Sequence, residues 1–251
     1  MSIENKRVVI IGGSSGLGLA TAKAGAAAGA EVIIASRSAE RLEKAKAEIG
    51  NKIQAFVLDV TDEAGMKAFF EKIGPFDHLV TSIADHLVVP IPDGTFTEGA
   101  YGSFLEKNAP LAKRAFEVKF WGQYRAAYYA APKLREGGSI TFFSGCLAGK
   151  PERGAVIMGT VNSAVEGLGR ALAVELSPIR VNVVSPGLVD TPLHAVWSQE
   201  KRDAVYGALA ASLPAKRIGN TEDMAQAVMY LMSNSFTTGS VLHPDGGTTL
   251  R

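Results

Sequence analysis

Short β-branched runs alternate with longer helical patterns along most of the chain, and that alternation leaves few folds open to it. Residues 8–11 (Val-Val-Ile-Ile) lead into an alanine-rich helical pattern through residue 28, alanine being a strong helix former. Further runs at 31–35, 53–58, 78–81, 139–143, 180–184 and 240–243 are interleaved with helical patterns at 40–49, 63–73, 112–134, 155–176 and 221–232. The runs are apolar on nearly every residue rather than on alternate ones, so both faces of each strand are covered. Right-handed crossovers then make a doubly wound parallel α/β sheet the expected architecture.

A chain of 251 residues is long enough for one large α/β domain or two small ones. No repeat, low-complexity tract or Pro/Ser-rich linker divides it, so residues 1–251 are expected to form one domain. The least regular stretches, 85–108 and 191–217, both follow strand C-terminal ends, where open α/β sheets bind ligands, and are read as substrate loops. Lys plus Arg is 26 against 25 for Asp plus Glu, which gives no electrostatic reason to expect a nucleic-acid or membrane-surface partner. The single cysteine, Cys146, excludes an internal disulfide and a multi-cysteine metal site, and the four histidines lack metal-ligand spacing, so no metal is expected. The apolar run before the first glycines is too short for a signal peptide, and no segment reaches membrane-spanning length, so a cytoplasmic protein is expected.

Between the first run and the first helix stands Gly12-Gly13-Ser14-Ser15-Gly16-Leu17-Gly18. Gly12 permits a tight turn, Gly16 lets backbone amides approach a pyrophosphate, and Gly18 lets the helix pack closely on the strand. The helix N-terminus adds unpaired N–H groups and a positive dipole end. Strand, glycine turn and helix in that order are the fingerprint of a Rossmann-type dinucleotide site. The second run ends in Ser36-Arg37. An NAD site needs a carboxylate there for the ribose 2′-hydroxyl, whereas a 2′-phosphate needs a cation, so NADP(H) is favoured over NAD(H).

Taken together these motifs resemble the short-chain dehydrogenase/reductase family, and the resemblance runs almost end to end. It is carried by the Gly12–Gly18 turn, Asp59-Val60, Ser144, Arg180-Val181-Asn182, the stretch Pro186-Gly187-Leu188-Val189-Asp190-Thr191, Arg217-Ile218-Gly219 with Glu222-Asp223, and Asp245-Gly246-Gly247. The family implies a seven-stranded parallel sheet. It implies that Asp59 and Val60 cradle the adenine, that Ala84 borders the cofactor, and that Pro186, Gly187, Val189 and Thr191 lie along the nicotinamide.

The departures fall on the chemistry. The family carries a Tyr-x-x-x-Lys pair on its fifth helix, and alignment from Ala164-Val165-Glu166 puts Met158 and Asn162 at those positions. Met158 moves no proton and Asn162 bears no charge, although it can still bond ribose hydroxyls. The family asparagine that interrupts the fourth helix is Lys119 here, and the Asn-Asn-Ala-Gly stretch reads Thr81-Ser82-Ile83-Ala84. Of the usual catalytic four only Ser144 remains. Lys119 is the first candidate for a relocated proton donor, and His86 beside Asp85 is the second.

Two outcomes follow from that site: an NADP(H)-dependent oxidoreductase of carbonyl and alcohol compounds with a non-standard proton donor, or a protein on which the lost pair has left no such turnover. The second outcome covers a catalytically silent NADP(H)-binding sensor or scaffold and a non-redox lyase or isomerase. Pro90, Ile91, Pro92, Phe96, Tyr101 and Phe104 on one loop, with Leu193, Trp197 and Tyr206 on the other, predict a neutral or hydrophobic small-molecule substrate. Small residues at 155, 159, 163, 167 and 171, with Phe116, Trp121, Tyr124, Tyr128 and Tyr129, suit a homodimer or homotetramer interface.

Overall fold

A computed structural model describes residues 2–50, 53–83, 101–106 and 109–251. Seven strands form one parallel sheet: β1 (Arg7–Ile11), β2 (Glu31–Ser36), β3 (Gln54–Val57), β4 (Phe76–Thr81), β5 (Leu134–Phe143), β6 (Arg180–Val184) and β7 (Val241–Leu242). Their order across the sheet is β3-β2-β1-β4-β5-β6-β7, so the winding direction reverses between β1 and β4. Helices cover both faces: α1 (Gly16–Ala27), α2 (Ala39–Ile49), α3 (Glu63–Ile73), α4 (Ala109–Ala115), α5 (Gly122–Ala130), α6 (Val156–Glu175), α7 (Gln199–Ser212) and α8 (Thr221–Ser233). This is the doubly wound Rossmann-type fold expected from the strand pattern.

Alternate strand residues serve opposite layers, as the two-residue period of a strand requires. Val9, Ile11, Ile33, Leu79, Ile140 and Phe142 pack with α3 and α5 on one face. Val8, Ile10, Val32, Ile34, Val80 and Val184 pack with α1, α2 and α8 on the other. Both layers are needed to hold the strand ends level, and the strand ends carry the site.

Three expectations are corrected. The helix predicted over 112–134 starts earlier, at Ala109, passes through a π-helical segment at Phe116–Trp121, and ends at Ala130. Pro132 lies in a short 3₁₀ turn, where its missing N–H removes a helical bond, and β5 starts at Leu134 rather than 139. Regular pairing of β5 with β4 begins at Ser139, opposite His78, after a register shift. The stretch 191–217, read as irregular, contains α7, capped by the Ser198 hydroxyl accepting from Lys201 N. None of the residues of α7 is buried, so no apolar stripe betrays it.

Candidate functional site

At the C-terminal edge of the sheet the chain leaves β1 through the glycine turn. Gly12 has φ +88°, and a Cβ there would come within 2.0 Å of the Ser82 carbonyl oxygen; a Cβ on Gly18 would come within 2.2 Å of the Gly12 carbonyl oxygen. Only glycine lets the turn close on β4 and on its own helix. Ser15, the first residue before α1, makes no side-chain capping bond, and the first turn carries no acidic residue. The α1 amides therefore open onto the groove with their dipole unopposed.

That groove has a volume of about 440 Å³ and is lined by Gly12, Ser14, Ser15, Gly16 and Leu17 on one side. Ser36, Arg37 and Arg41 close its far end, Leu58, Val60 and Val118 form its apolar floor, and Thr191, Pro192 and Leu193 face the turn. Arg41, one helical turn beyond Arg37, was not singled out in the sequence. The Ser36 hydroxyl oxygen is buried and has no hydrogen-bond partner among the described residues. Asp59 accepts from Thr61 N at 2.9 Å and Thr61 Oγ1 at 2.8 Å; these bonds, chiefly the backbone one, hold its carboxyl below the usual range, with Arg37 helping. Its neighbours Leu58 and Val60, rather than its carboxylate, meet the groove.

The segment from Pro186 to Thr191 is pinned from behind. Pro186 O accepts from Cys146 N at 2.9 Å, Gly187 N donates to Pro244 O at 3.5 Å, and Val189 forms a β-bridge with Gly219. Thr191 is thereby held opposite Gly16, with its Cβ 3.9 Å from where a Gly16 Cβ would stand.

Beyond the groove, Lys119 reaches in from the π-helical segment and its ammonium donates to Ser144 O at 2.8 Å. Burial pushes the Lys119 ammonium down to about 8, only partly offset by the nearby Cys146. Burial also pushes the Cys146 thiol up to about 11, so it is a poor nucleophile near neutral pH. The Ser144 hydroxyl donates to Glu166 Oε1 at 3.0 Å. Asn162, one turn before Glu166 on α6, is buried against the Gly145 backbone, and its Oδ1 has no partner among the described residues. Met158 lies in an apolar cluster with Ala115, Ile157 and Val161, and Tyr101 packs against it.

Gln123 fixes the whole arrangement. Fully buried, it accepts from Thr81 Oγ1 at 2.7 Å and Phe143 N at 3.2 Å, and donates to Lys119 O at 2.8 Å. One amide thus ties the ends of β4 and β5 to the segment that carries Lys119. Lys119, Ser144 and Asn162, predicted from sequence, come together here, whereas Gln123 and Glu166 were missed. His86, Asp85 and Ala84, with Pro90, Ile91, Pro92 and Phe96, lie outside the described residues.

Trp197 and Tyr206, expected to line a substrate pocket, form an aromatic cluster with His194, whose ring stacks on Trp197 at 4.6 Å. Tyr206 Oη bonds Asp190 Oδ1 at 3.0 Å and His194 Nδ1 at 2.9 Å, bracing the loop that follows Thr191.

Comparison with known proteins bears on the same architecture. A family model described as Enoyl-(Acyl carrier protein) reductase matches residues 12–249. A short-chain dehydrogenase/reductase of Stachybotrys chlorohalonatus is 33% identical over 100% of this chain and 99% of its own length. A 2-keto-3-deoxy-L-fuconate dehydrogenase of Xanthomonas campestris is 30% identical over 98% of this chain and 80% of its own. Among solved structures, a small-chain dehydrogenase in complex with NADPH is 34% identical, with a TM-score of 0.82 over 99% of this chain and 100% of that one. With the match extending from the glycine turn almost to the C-terminus, the chain belongs to the short-chain dehydrogenase/reductase family of oxidoreductases.

Proposed function

We propose that this protein is an NADP(H)-dependent oxidoreductase of carbonyl and alcohol compounds in which Lys119 replaces the family tyrosine as proton donor. The observation that carries the cofactor reading is Ser36: a buried hydroxyl without a partner among the described residues, in one groove with Arg37 and Arg41. A phosphate supplies acceptors to both guanidinium groups and to that hydroxyl, whereas a ribose hydroxyl lacks the charge that two arginines demand. The NADPH held by a 34%-identical relative supports the same choice. The open α1 amides suit the pyrophosphate, and the unpartnered Asn162 Oδ1 suits a ribose hydroxyl donor.

A nicotinamide dinucleotide, when bound, supplies or removes the hydride. The chain's own residues handle the proton. In reduction a Lys119 N–H passes its proton to the substrate oxygen as the carbonyl carbon becomes tetrahedral, and the resulting amine is reprotonated from solvent. An ammonium lowered to about 8 is suited to this, because a general acid works best with its pKa near the operating pH. Ser144 O holds one of its three N–H groups, and the other two have no partner among the described residues. The buried, apolar surroundings of Met158 exclude that position from any proton transfer.

The test is a titration of NADPH and NADH into wild type and Arg37→Ala, coupled to a panel of ketones and aldehydes followed at the NADPH absorbance. NADPH affinity is expected to fall about 10- to 100-fold, as for lost charge-assisted hydrogen bonds, with NADH affinity unchanged. Equal loss for both refutes the phosphate role. Tight NADPH binding without turnover of any carbonyl compound would instead favour a cofactor-binding sensor.

A further inference from the structure

The two oxygens of Ser144 are held by groups of opposite kind. Its carbonyl accepts from the Lys119 ammonium at 2.8 Å, and its hydroxyl donates to Glu166 Oε1 at 3.0 Å. Glu166 is 9% exposed, one turn after Asn162 on the inner side of α6. Carboxylates are seldom enclosed without strong partners, because leaving water is costly. Among the described residues the Ser144 hydroxyl is the only hydrogen-bond donor to this one. Such a pair is poor value as a device for stability, since an apolar residue would fill the same space on a helix already packed by Val161 and Val165. It does, however, dictate which way the serine proton points.

Building on the oxidoreductase reading above, we propose that Glu166 is a positioning residue that takes the single proton of Ser144 and so turns the serine into an acceptor toward the substrate. A hydroxyl has one proton and two lone pairs. With the proton committed to a carboxylate, Ser144 accepts from a substrate hydroxyl and cannot donate to a carbonyl oxygen. Lys119 is its opposite, a donor with no lone pair while protonated. The two groups meet at one residue, so the ligand that satisfies both has a carbonyl oxygen beside a hydroxyl. The substrate class is therefore an α-hydroxy carbonyl compound with its reduced vicinal diol, rather than the isolated carbonyl of an apolar ketone. In the reduction, Lys119 protonates the former carbonyl oxygen, while the neighbouring hydroxyl keeps its proton and only donates it to Ser144 Oγ in a hydrogen bond.

Two measurements test this. Difference infrared spectroscopy between the wild type and Glu166→Gln at pH 7 is expected to show an ionised carboxylate stretch that shifts in Ser144→Ala. A protonated carboxylic acid band instead would make Glu166 the donor and overturn the proposal. In steady-state kinetics with NADPH, ketones bearing an α-hydroxyl are expected to exceed their deoxy analogues in kcat/KM by about 100-fold. Glu166→Leu should collapse that ratio to a few-fold, and Glu166→Gln, which keeps an acceptor oxygen, should restore part of it. A ratio unchanged in Glu166→Leu overturns the proposal; should that variant fail to fold, Ser144→Ala must show the same collapse. If no ketone turns over, calorimetric affinities of the same substrate pairs decide the point, and the failure then falls on the oxidoreductase reading alone.

Discussion

Lys119 lies where desolvation and function pull in the same direction. An ammonium lowered to about 8 is still mostly protonated at neutral pH, yet releases its proton more readily than a surface lysine. Lys119→Met is therefore expected to lower kcat for reduction by about 10²–10⁴-fold, the usual contribution of general acid help. In the wild type, kcat for reduction should fall as pH rises through about 8, because the amine form has no proton to give. A flat profile across that range, from stopped-flow rates of NADPH consumption, would exclude this lysine. Arg37 could be found from its place at the end of a strand, and Ser144 and Asn162 from the family motifs that the sequence resembles. Glu166 and Gln123 could not. A polar residue on an amphipathic helix is ordinarily solvated, and only the packing of α6 and α5 against β5 reveals that these two are enclosed.

Among the elements, the π-helical segment Phe116–Trp121 carries most of the consequence. Such segments are uncommon and recur at functional sites, because one extra residue in a turn rotates the side chains that follow. Here the widened turn leaves Lys119 O facing Gln123 Nε2 at 2.8 Å and Lys119 Nζ facing Ser144. Gln123→Leu would strip partners from Thr81 Oγ1, Lys119 O and Phe143 N at once. Urea denaturation should register a loss of about 3 kcal/mol, since buried polar groups left unpaired cost about 1–3 kcal/mol each and part is recovered by relaxation. The same variant should lose kcat more than cofactor affinity, because Gln123 holds the segment that carries Lys119 and does not itself line the groove. Strand and helix positions were largely legible, since apolar runs and capping residues are local signals. The π-helical turn and α7 were not: the first depends on tertiary contacts of Gln123, and the second offers alanines and charges but no buried face.

At the scale of the whole molecule, stability depends on a pair of adjacent buried groups on β4. Burial pushes the His78 imidazole down to about 4, and Nδ1 pairs with Ser139 Oγ at 2.9 Å. Unfolded, it would titrate near 6.5, so the unfolded chain binds the extra proton between those values. The stability gained by keeping His78 neutral is complete above about 6.5 and drains away as pH falls toward about 4, by about 3 kcal/mol in all. Asp77 acts in the same sense but only at lower pH than His78, below its ordinary value of 3.8: although desolvation opposes it, Arg7 N, Lys6 and Arg135 hold its carboxyl below the usual range. Urea midpoints should decline across this window, and His78→Gln should flatten the decline; an equal slope in the variant would remove His78 from the account.

Assembly belongs to the same scale. Ser163 and Ala171 are exposed, Gly159 and Gly167 are half-buried, Ala155 is buried, and Phe116 and Tyr129 are engaged within the chain. Trp121, Tyr124 and Tyr128 are 43%, 40% and 64% exposed. We propose that these faces pair between copies, as aromatic surfaces flanking close-approach helices do. Light scattering should give a homo-oligomer that Tyr128→Glu dissociates, and a monomeric wild type would dismiss the idea.

All the ladders in the sheet are parallel, so no strand meets its neighbour through a short reversal of the chain. β1 cannot complete its pairing until β4 has been made, nor β5 until β6. Renaturation from urea must therefore proceed by slow, long-range closures, and at high concentration half-built sheets with open edges will compete for one another before each chain finds its own partner.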